Sequence, residues 1–80
     1  MIRILFACVH NAGRSQMAAT LFNQIAGPSL AQAISAGTEP AAQIHPEVMS
    51  VMREVGTELG GVTPRLLTTD LASQANILVT

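Results

Sequence analysis

A short apolar strand pattern that runs directly into a helix pattern constrains the fold of this chain more than any other feature. Ile2–Cys8 reads IRILFAC, which is β-branched and apolar on both faces and predicts a strand buried on both sides of a parallel sheet. Residues 10–13 are turn-like. Apolar residues then recur at helical spacing, so a helix is predicted over 14–26 and is expected to end at Gly27-Pro28.

The alternation of strand and helix patterns continues along the sequence. Residues 30–36 predict a second strand, and Pro46 begins a second helix at its first turn. Residues 69–71 predict a short helical turn, and residues 76–80 predict another buried strand. Strands that alternate with helices are typical of parallel sheets with right-handed crossovers, so the expected fold is a three-layer α/β sheet, of which β-α-β-α-β is present. The remaining loop signals are Gly60, Gly61 and Pro64.

The second predicted helix carries an apolar stripe that is interpreted as part of the core. Because a sheet of this type usually has more than three strands, residues 1–80 are expected to be the N-terminal part of a larger domain. The last strand then has an uncovered edge, which predicts that the chain associates with itself. The stripe consists of Val48, Met49, Val51, Met52 and Val55.

Composition excludes several classes of protein. The 80 residues are 49% hydrophobic and 11% charged, which excludes a disordered tail and allows one domain at most. The single cysteine cannot form an internal disulfide, so a reducing compartment and a cytoplasmic location are expected. The first apolar stretch is too short for a signal sequence or a membrane span, and a net charge of −1 indicates no nucleic-acid partner.

The cysteine follows the first predicted strand, at the carboxyl end where open α/β sheets bind ligands. The loop after Cys8 leads into a helix N-terminus, whose free N–H groups and dipole favour an anion. Gly13 permits backbone conformations that other residues resist, and Arg14 can make two parallel hydrogen bonds to a tetrahedral oxyanion. The same surroundings favour a thiolate at Cys8, to which the Ser15 hydroxyl can donate.

A buried core position is the alternative interpretation of Cys8, since free cysteine is among the most buried residue types. Its context favours a functional role, because Asn11 and a glycine lie within the loop and Arg14 and Ser15 follow it. Asn11 tolerates a left-handed backbone and can bind loop backbone groups. His10 adjoins the cysteine and either lines the mouth of the site or faces solvent.

These residues resemble a known family. The segment CVHNAGRSQMA is similar to the phosphate-binding loop of the low-molecular-weight protein tyrosine phosphatases, and especially of the arsenate reductases that share their fold. The resemblance continues through SAGTEP, HPE, EVGTELGGVTPRLL and ANILVT. It covers essentially the whole chain, which corresponds to a little more than half of a typical member.

The resemblance implies a role for each loop residue. Cys8 is the nucleophile that attacks phosphorus or arsenic, Arg14 binds the oxyanion and stabilises the transition state, and Ser15 supports the thiolate. Asn11 holds the shape of the loop. Chemically, this is nucleophilic catalysis in a preorganised electrostatic cradle. The loop residues expected to bind the oxyanion are Val9, His10, Asn11, Ala12, Gly13 and Arg14.

The chain departs from the family pattern in two respects. Family phosphatases use an aspartate in a late Asp-Pro pair as the acid, whereas the single aspartate here, Asp70, is interpreted as a helix cap or a solvated charge. Thioredoxin-coupled reductases use two further cysteines, which this sequence lacks. A reductase of this kind therefore needs an external low-molecular-weight thiol or a redoxin. The first helix carries no carboxylate and no metal-ligand spacing occurs, so no metal or cofactor is predicted.

Three functions remain open from the sequence. The loop interior HNAGRSQMA and the absence of Trp and Tyr favour an arsenate reductase-like enzyme whose substrate is a small oxyanion such as arsenate. The first alternative is a low-molecular-weight phosphatase that hydrolyses phosphate monoesters or a phosphorylated substrate. The second is a truncated, non-catalytic protein that only binds oxyanions. In each case the expected partner is neither nucleic acid nor membrane.

Overall fold

Three parallel strands lie side by side in the part of the chain that the structure describes. The strands are β1 (Ile2–Cys8), β2 (Ala31–Gly37) and β3 (Ile77–Val79), and their order across the sheet is β2-β1-β3. The register aligns Cys8 with Gly37 at the carboxyl ends of β1 and β2. The predicted α/β class with parallel strands is therefore confirmed. The structure is a computed structural model that describes residues 1–27, 29–59 and 62–80.

Three helices connect the strands within these described residues. They are α1 (Arg14–Ile25), α2 (Pro46–Glu54) and α3 (Thr69–Gln74), and α1 packs against β1 and β2. Pro46 is at the start of α2, as predicted, and the Thr68 hydroxyl accepts a hydrogen bond from a backbone N–H of the first turn of α3. The bounds agree with the predicted elements to within one or two residues, except that α3 is longer than the expected turn.

The strand order determines where a ligand can bind. After β1 the chain passes to β2 on one side of it and later to β3 on the other side, so the direction of winding reverses beside β1. In open α/β sheets, ligands bind outside the carboxyl ends of the strands at such a reversal. Cys8 is the last residue of β1 and therefore lies at this position.

The interpretation of residues 76–80 as a buried run was wrong, whereas the predicted uncovered edge at the last strand is found. All three residues of β3 are exposed, including Leu78 at 53%. The reason is that β3 lies at the edge of the described sheet and pairs there with β1 alone. Burial of β1 on both sides is also only partly confirmed, because Leu5 is fully buried whereas Ile2 is exposed.

The apolar stripe of α2 is only partly core, which corrects the prediction for two of its residues. Val51 and Val55 are exposed, and Val55 follows the last residue of the helix. The others join a small buried cluster that links α2 to the start of α1. The cluster contains Ile44, Met52 and Leu59, against which Met17, Val48 and Met49 pack.

Two predicted loop signals lie outside the described residues, namely Pro28 and the pair Gly60-Gly61. Pro64 lies in a segment without regular structure, as predicted. No helix among the described residues is both long and apolar enough to cross a membrane.

Candidate active site

The loop from Cys8 to Gly13 has every backbone carbonyl engaged by a neighbouring segment or by α1. Because these acceptors are occupied, the backbone groups of the loop that remain for other partners are N–H groups, which favour an anion. Four bonds come from the backbone N–H groups of Thr38, Glu39, Ala41 and His45, which bind the carbonyls of Cys8, Val9, His10 and Ala12 at 3.1, 2.7, 3.0 and 3.1 Å. The other two come from the Gln16 side chain to Asn11 (3.1 Å) and from the Met17 N–H to Gly13 (3.0 Å).

Hydrogen-bond donors surround the Cys8 sulfur. The Ser15 hydroxyl lies 2.8 Å from Sγ, and the Asn11 backbone N–H donates to it at 3.2 Å. Partial burial raises the pKa of the Cys8 thiol, but hydrogen bonds from the Ser15 hydroxyl and from the backbone N–H groups of Asn11, Ser15 and His10 lower it by more. The pKa is therefore below that of an ordinary thiol, which favours the thiolate.

Asn11 is the centre of a buried hydrogen-bond network. It is fully buried, and its φ of 51° places it in the left-handed region that asparagine tolerates better than most residues. Its Nδ2 donates to the Ser15 hydroxyl at 2.7 Å. Its Oδ1 accepts from the backbone N–H of Arg65 at 2.8 Å and from Gln16 Nε2 at 3.0 Å. The network thus ties the loop to α1 and to the segment before α3.

Arg14 lies at the first position of α1 and has an exposed side chain. It lines a cavity of about 1040 Å³ together with Cys8, Ser15 and the loop between them. Thr38 and His45 line the same cavity. The structure therefore brings the predicted nucleophile, the predicted guanidinium and the predicted hydroxyl to one opening.

The remaining loop residues differ in exposure. Val9 and His10 are exposed, whereas Ala12 is buried. The His10 ring nitrogen Nδ1 lies 3.1 Å from the carbonyl oxygen of Glu39. His10 therefore faces solvent at the mouth of the site, and its contribution next to Cys8 is its backbone N–H.

Asp70 lies in the exposed first turn of α3, where Thr68 caps the helix. Asp70 is not among the described residues that line the cavity. It is a solvated charge on α3, one of the two interpretations that the sequence allowed. Within residues 1–27, 29–59 and 62–80, no group of three or more His, Cys, Asp and Glu side chains is arranged to hold a metal.

Gly37 allows β2 to approach the loop closely. A Cβ at this position would lie 2.5 Å from the Val9 carbonyl oxygen and 2.9 Å from the Asn11 backbone nitrogen. Gly37 also binds the segment before α3, donating its N–H to Arg65 and accepting from Leu67. Because Gly37 has no side chain, β2, the loop and residues 65–67 can pack closely against one another.

Sequence reasoning missed several residues that shape the site. Gln16 and Gly37 were not identified, nor was the segment 38–45, whose N–H groups bind the loop carbonyls. A polar residue at the third position of a helix that packs on a sheet was the available signal for Gln16. The 38–45 segment carries no such signal, because its contribution comes from the backbone.

Comparison with known proteins identifies the family. Residues 3–80 match the model of the low molecular weight phosphotyrosine protein phosphatase family. The chain is 37% identical to a putative arsenate reductase from Halobacterium salinarum, over a 79-residue alignment that covers 94% of this chain and 56% of that protein. It is 35% identical over 63 residues to a glutaredoxin arsenate reductase from Synechocystis, which is 79% of this chain and 47% of that protein.

A solved structure supports the same assignment. A thioredoxin-dependent arsenate reductase from Corynebacterium glutamicum superposes with a TM-score of 0.87 at 40% identity, over 98% of this chain and 40% of that one. The chain spans about half the length of the curated relatives it matches. The fold, the loop geometry and the match over residues 3–80 agree, and the chain belongs to the low molecular weight phosphotyrosine protein phosphatase family.

Proposed function

We propose that this chain belongs to an arsenate reductase-like enzyme in which Cys8 is the nucleophile. The observation that carries the proposal is the position of Cys8 Sγ, at the end of β1 among the Ser15 hydroxyl and the N–H groups of the loop. Donors fixed around a sulfur stabilise its thiolate and also bind the oxyanion that the thiolate attacks. Two of the relatives named above are described as arsenate reductases and one as a putative arsenate reductase, which supports this choice of substrate.

The proposed reaction proceeds through a bond between sulfur and arsenic. The Cys8 thiolate attacks arsenic(V), and one arsenate oxygen leaves as water after it gains protons. A second thiolate then attacks Cys8 Sγ, and the electron pair of the S–As bond passes to arsenic, which leaves as arsenic(III). The products are arsenite and a mixed disulfide on Cys8, which a further thiol reduces.

We infer that the second thiol is not supplied by residues 1–80. Cys8 is the single cysteine of these residues, so they offer no second thiol of their own. A low-molecular-weight thiol or a redoxin is therefore the proposed partner. The thioredoxin-dependent and glutaredoxin relatives support a partner of this class. A reducing, cytoplasmic location follows from the same chemistry, because Cys8 must be kept as a thiol.

Hydrolysis of phosphate monoesters is the second candidate function. The family description and the N–H groups of the loop favour it, since a phosphate has the same tetrahedral shape and charge as arsenate. Ester hydrolysis needs an acid for the leaving oxygen, and such an acid contributes about 10²- to 10⁴-fold. Asp70 does not line the described cavity, so we expect this activity to be weak in residues 1–80. Oxyanion binding without turnover is the remaining alternative.

Product analysis with the purified chain tests the proposal. We expect arsenite to form from arsenate only when a small thiol or a redoxin is added, and Cys8→Ser to abolish it. Ser73→Ala, on the exposed surface of α3, is the matched control and is expected to leave the rate unchanged.

The same preparation distinguishes the alternatives. Hydrolysis of phenyl phosphate, a poor-leaving-group ester, at a rate above arsenate reduction would favour the phosphatase. Phosphate binding with neither activity would favour the non-catalytic alternative. Either outcome would overturn the reductase proposal for residues 1–80.

A further inference from the structure

Gln16 holds two acceptors of one residue in the loop. Its side chain is 5% exposed, and Nε2 lies 3.1 Å from the Asn11 carbonyl oxygen and 3.0 Å from Asn11 Oδ1. The two hydrogens of the Nε2 amide match these two acceptors. Gln16 is thus the one side chain that holds a carbonyl of the described loop, whose other carbonyls are held by backbone N–H groups.

The partners of Asn11 determine which way its amide faces. Oδ1 faces two groups that can only donate, the Arg65 backbone N–H and Gln16 Nε2. Nδ2 therefore faces the Ser15 hydroxyl oxygen, to which it donates at 2.7 Å. With its oxygen accepting from Asn11, the Ser15 hydroxyl has its hydrogen free to donate to Cys8 Sγ, 2.8 Å away.

We propose that Gln16 is a positioning residue that sets the direction of the hydrogen bonds from Asn11 through Ser15 to Cys8. Gln16 contacts neither the sulfur nor the cavity, and it acts only through Asn11. Without the Gln16 donor, Asn11 keeps one donor at Oδ1 and none at its carbonyl. Its amide and its left-handed backbone are then less constrained, and Ser15 is less strictly a donor to the sulfur. The inference rests on the proposed function of Cys8 as a thiolate.

The hydrogen bonds from Gln16 through Asn11 and Ser15 to Cys8 are called the relay below. The pH dependence of Cys8 alkylation by iodoacetamide tests this relay in the whole 80-residue chain. Gln16→Met keeps the length of the side chain and removes its two N–H donors. We expect this variant to raise the apparent pKa of Cys8 by about one unit. Gln16→Glu is a second variant of the same size without amide hydrogens, and we expect a rise at least as large. Gln24→Met is the matched control, because Gln24 lies on the same helix and bonds to Thr57 instead.

A double-mutant cycle separates the relay from a general loosening of the loop. If Gln16 acts through Ser15, Gln16→Met adds no further rise in pKa when Ser15 is already replaced by alanine. An equal rise with and without Ser15, or no rise in a Gln16→Met variant that keeps its circular dichroism spectrum, would overturn the inference. If Gln16→Met does not fold, the same cycle is read with Gln16→Leu, which is also uncharged and lacks the amide donors.

Activity measured on the same variants keeps the two proposals apart. Arsenate reduction by the unmodified chain, together with a Cys8 pKa insensitive to Gln16, would overturn the relay alone. A Cys8 pKa that depends on Gln16 through Ser15, in a chain that does not reduce arsenate, would support the relay and overturn the proposed function alone.

Discussion

Cys8 depends for its ionisation on donors that differ in kind. The Ser15 hydroxyl is a side-chain donor that a single substitution removes, whereas the Asn11 and His10 donors belong to the backbone and survive any side-chain change that leaves the loop intact. Burial acts in the opposite direction, so the low pKa is a difference between opposing effects. At the scale of the residue, Ser15 is therefore the position where a substitution tests the ionisation of Cys8, and Arg14 is the position where a substitution tests anion binding.

Ser15→Ala should raise the pKa of the Cys8 thiol by about one to two units, because it removes a hydrogen bond to the thiolate. The folded pKa lies below that of an ordinary thiol, so the unmodified chain is alkylated at lower pH than a free thiol and loses reactivity as pH falls through the folded pKa. Iodoacetamide alkylation followed against pH measures the Cys8 pKa in the unmodified chain and in Ser15→Ala. An apparent pKa at or above about 8.5 for the unmodified chain would contradict the thiolate assignment.

Arg14→Ala should weaken phosphate binding by about 10- to 100-fold, since it removes hydrogen bonds between charged groups. Arg14→Lys should also weaken it, because an ammonium cannot replace the planar fork of the guanidinium. Titration calorimetry with inorganic phosphate measures the change. Arg53→Ala, which removes an exposed ion pair with Glu58, is the control and should leave phosphate affinity unaltered. Equal affinity in Arg14→Ala and the unmodified chain would show that Arg14 does not contact the anion.

At the scale of the elements, the loop is held between β2, α1 and the segment 38–45. The carboxyl end of β2 passes so close that Gly37 lies directly behind the Val9 carbonyl and the Asn11 backbone nitrogen. The same glycine pairs with Leu66 in a short parallel bridge. Loop shape is thus coupled to the packing of these elements rather than to the loop residues alone.

Gly37→Ala should destabilise the fold by about 1–3 kcal/mol, because its Cβ would overlap backbone atoms that cannot move without distorting the loop. Phosphate binding should weaken with it. Urea unfolding and phosphate calorimetry measure the two effects. Gly27→Ala is the matched control, because a Cβ there meets only the Leu30 side chain at an ordinary distance of 3.6 Å. Normal stability in Gly37→Ala would mean that the three segments are not packed as the structure has them.

At the scale of the whole molecule, apolar surface collects at one edge of the described sheet. Ile77, Leu78 and Val79 are all exposed, and β3 has hydrogen-bonding groups on the side away from β1. Exposed apolar edge strands pair readily with other chains. We therefore expect residues 1–80, when produced by themselves, to associate in pairs through β3.

Leu78→Lys should reduce this association, because a charged side chain on an edge strand disfavours pairing with a second copy. Sedimentation velocity over a range of protein concentrations measures the oligomeric state. Val51→Lys introduces the same charge at an exposed apolar position on α2 and serves as the control. A chain that sediments as a monomer at every concentration would contradict the proposal, as would equal dissociation in the two variants.

Local pattern was sufficient to predict the strand–loop–helix unit around Cys8. The change from a two-sided apolar strand to helical spacing locates β1 and α1 to within a residue, because both periodicities arise from local backbone geometry. The residue types between them predict an anion-binding loop, since an open helix N-terminus, a glycine and an arginine favour oxyanions wherever they occur together. Fold class followed from the alternation of these patterns.

The contacts that hold the loop in shape and the exposure of the last strand depend on packing between residues that are far apart in the sequence. Asn11 and Arg65 are 54 positions apart, and no sequence pattern connects a side-chain oxygen to a distant backbone N–H. Nearly every residue type carries a backbone N–H group. The sequence of residues 38–45 therefore does not reveal that their N–H groups bind the loop carbonyls. The exposure of Leu78 likewise depends on strand order, because the same apolar run is buried in the centre of a sheet and exposed at its edge.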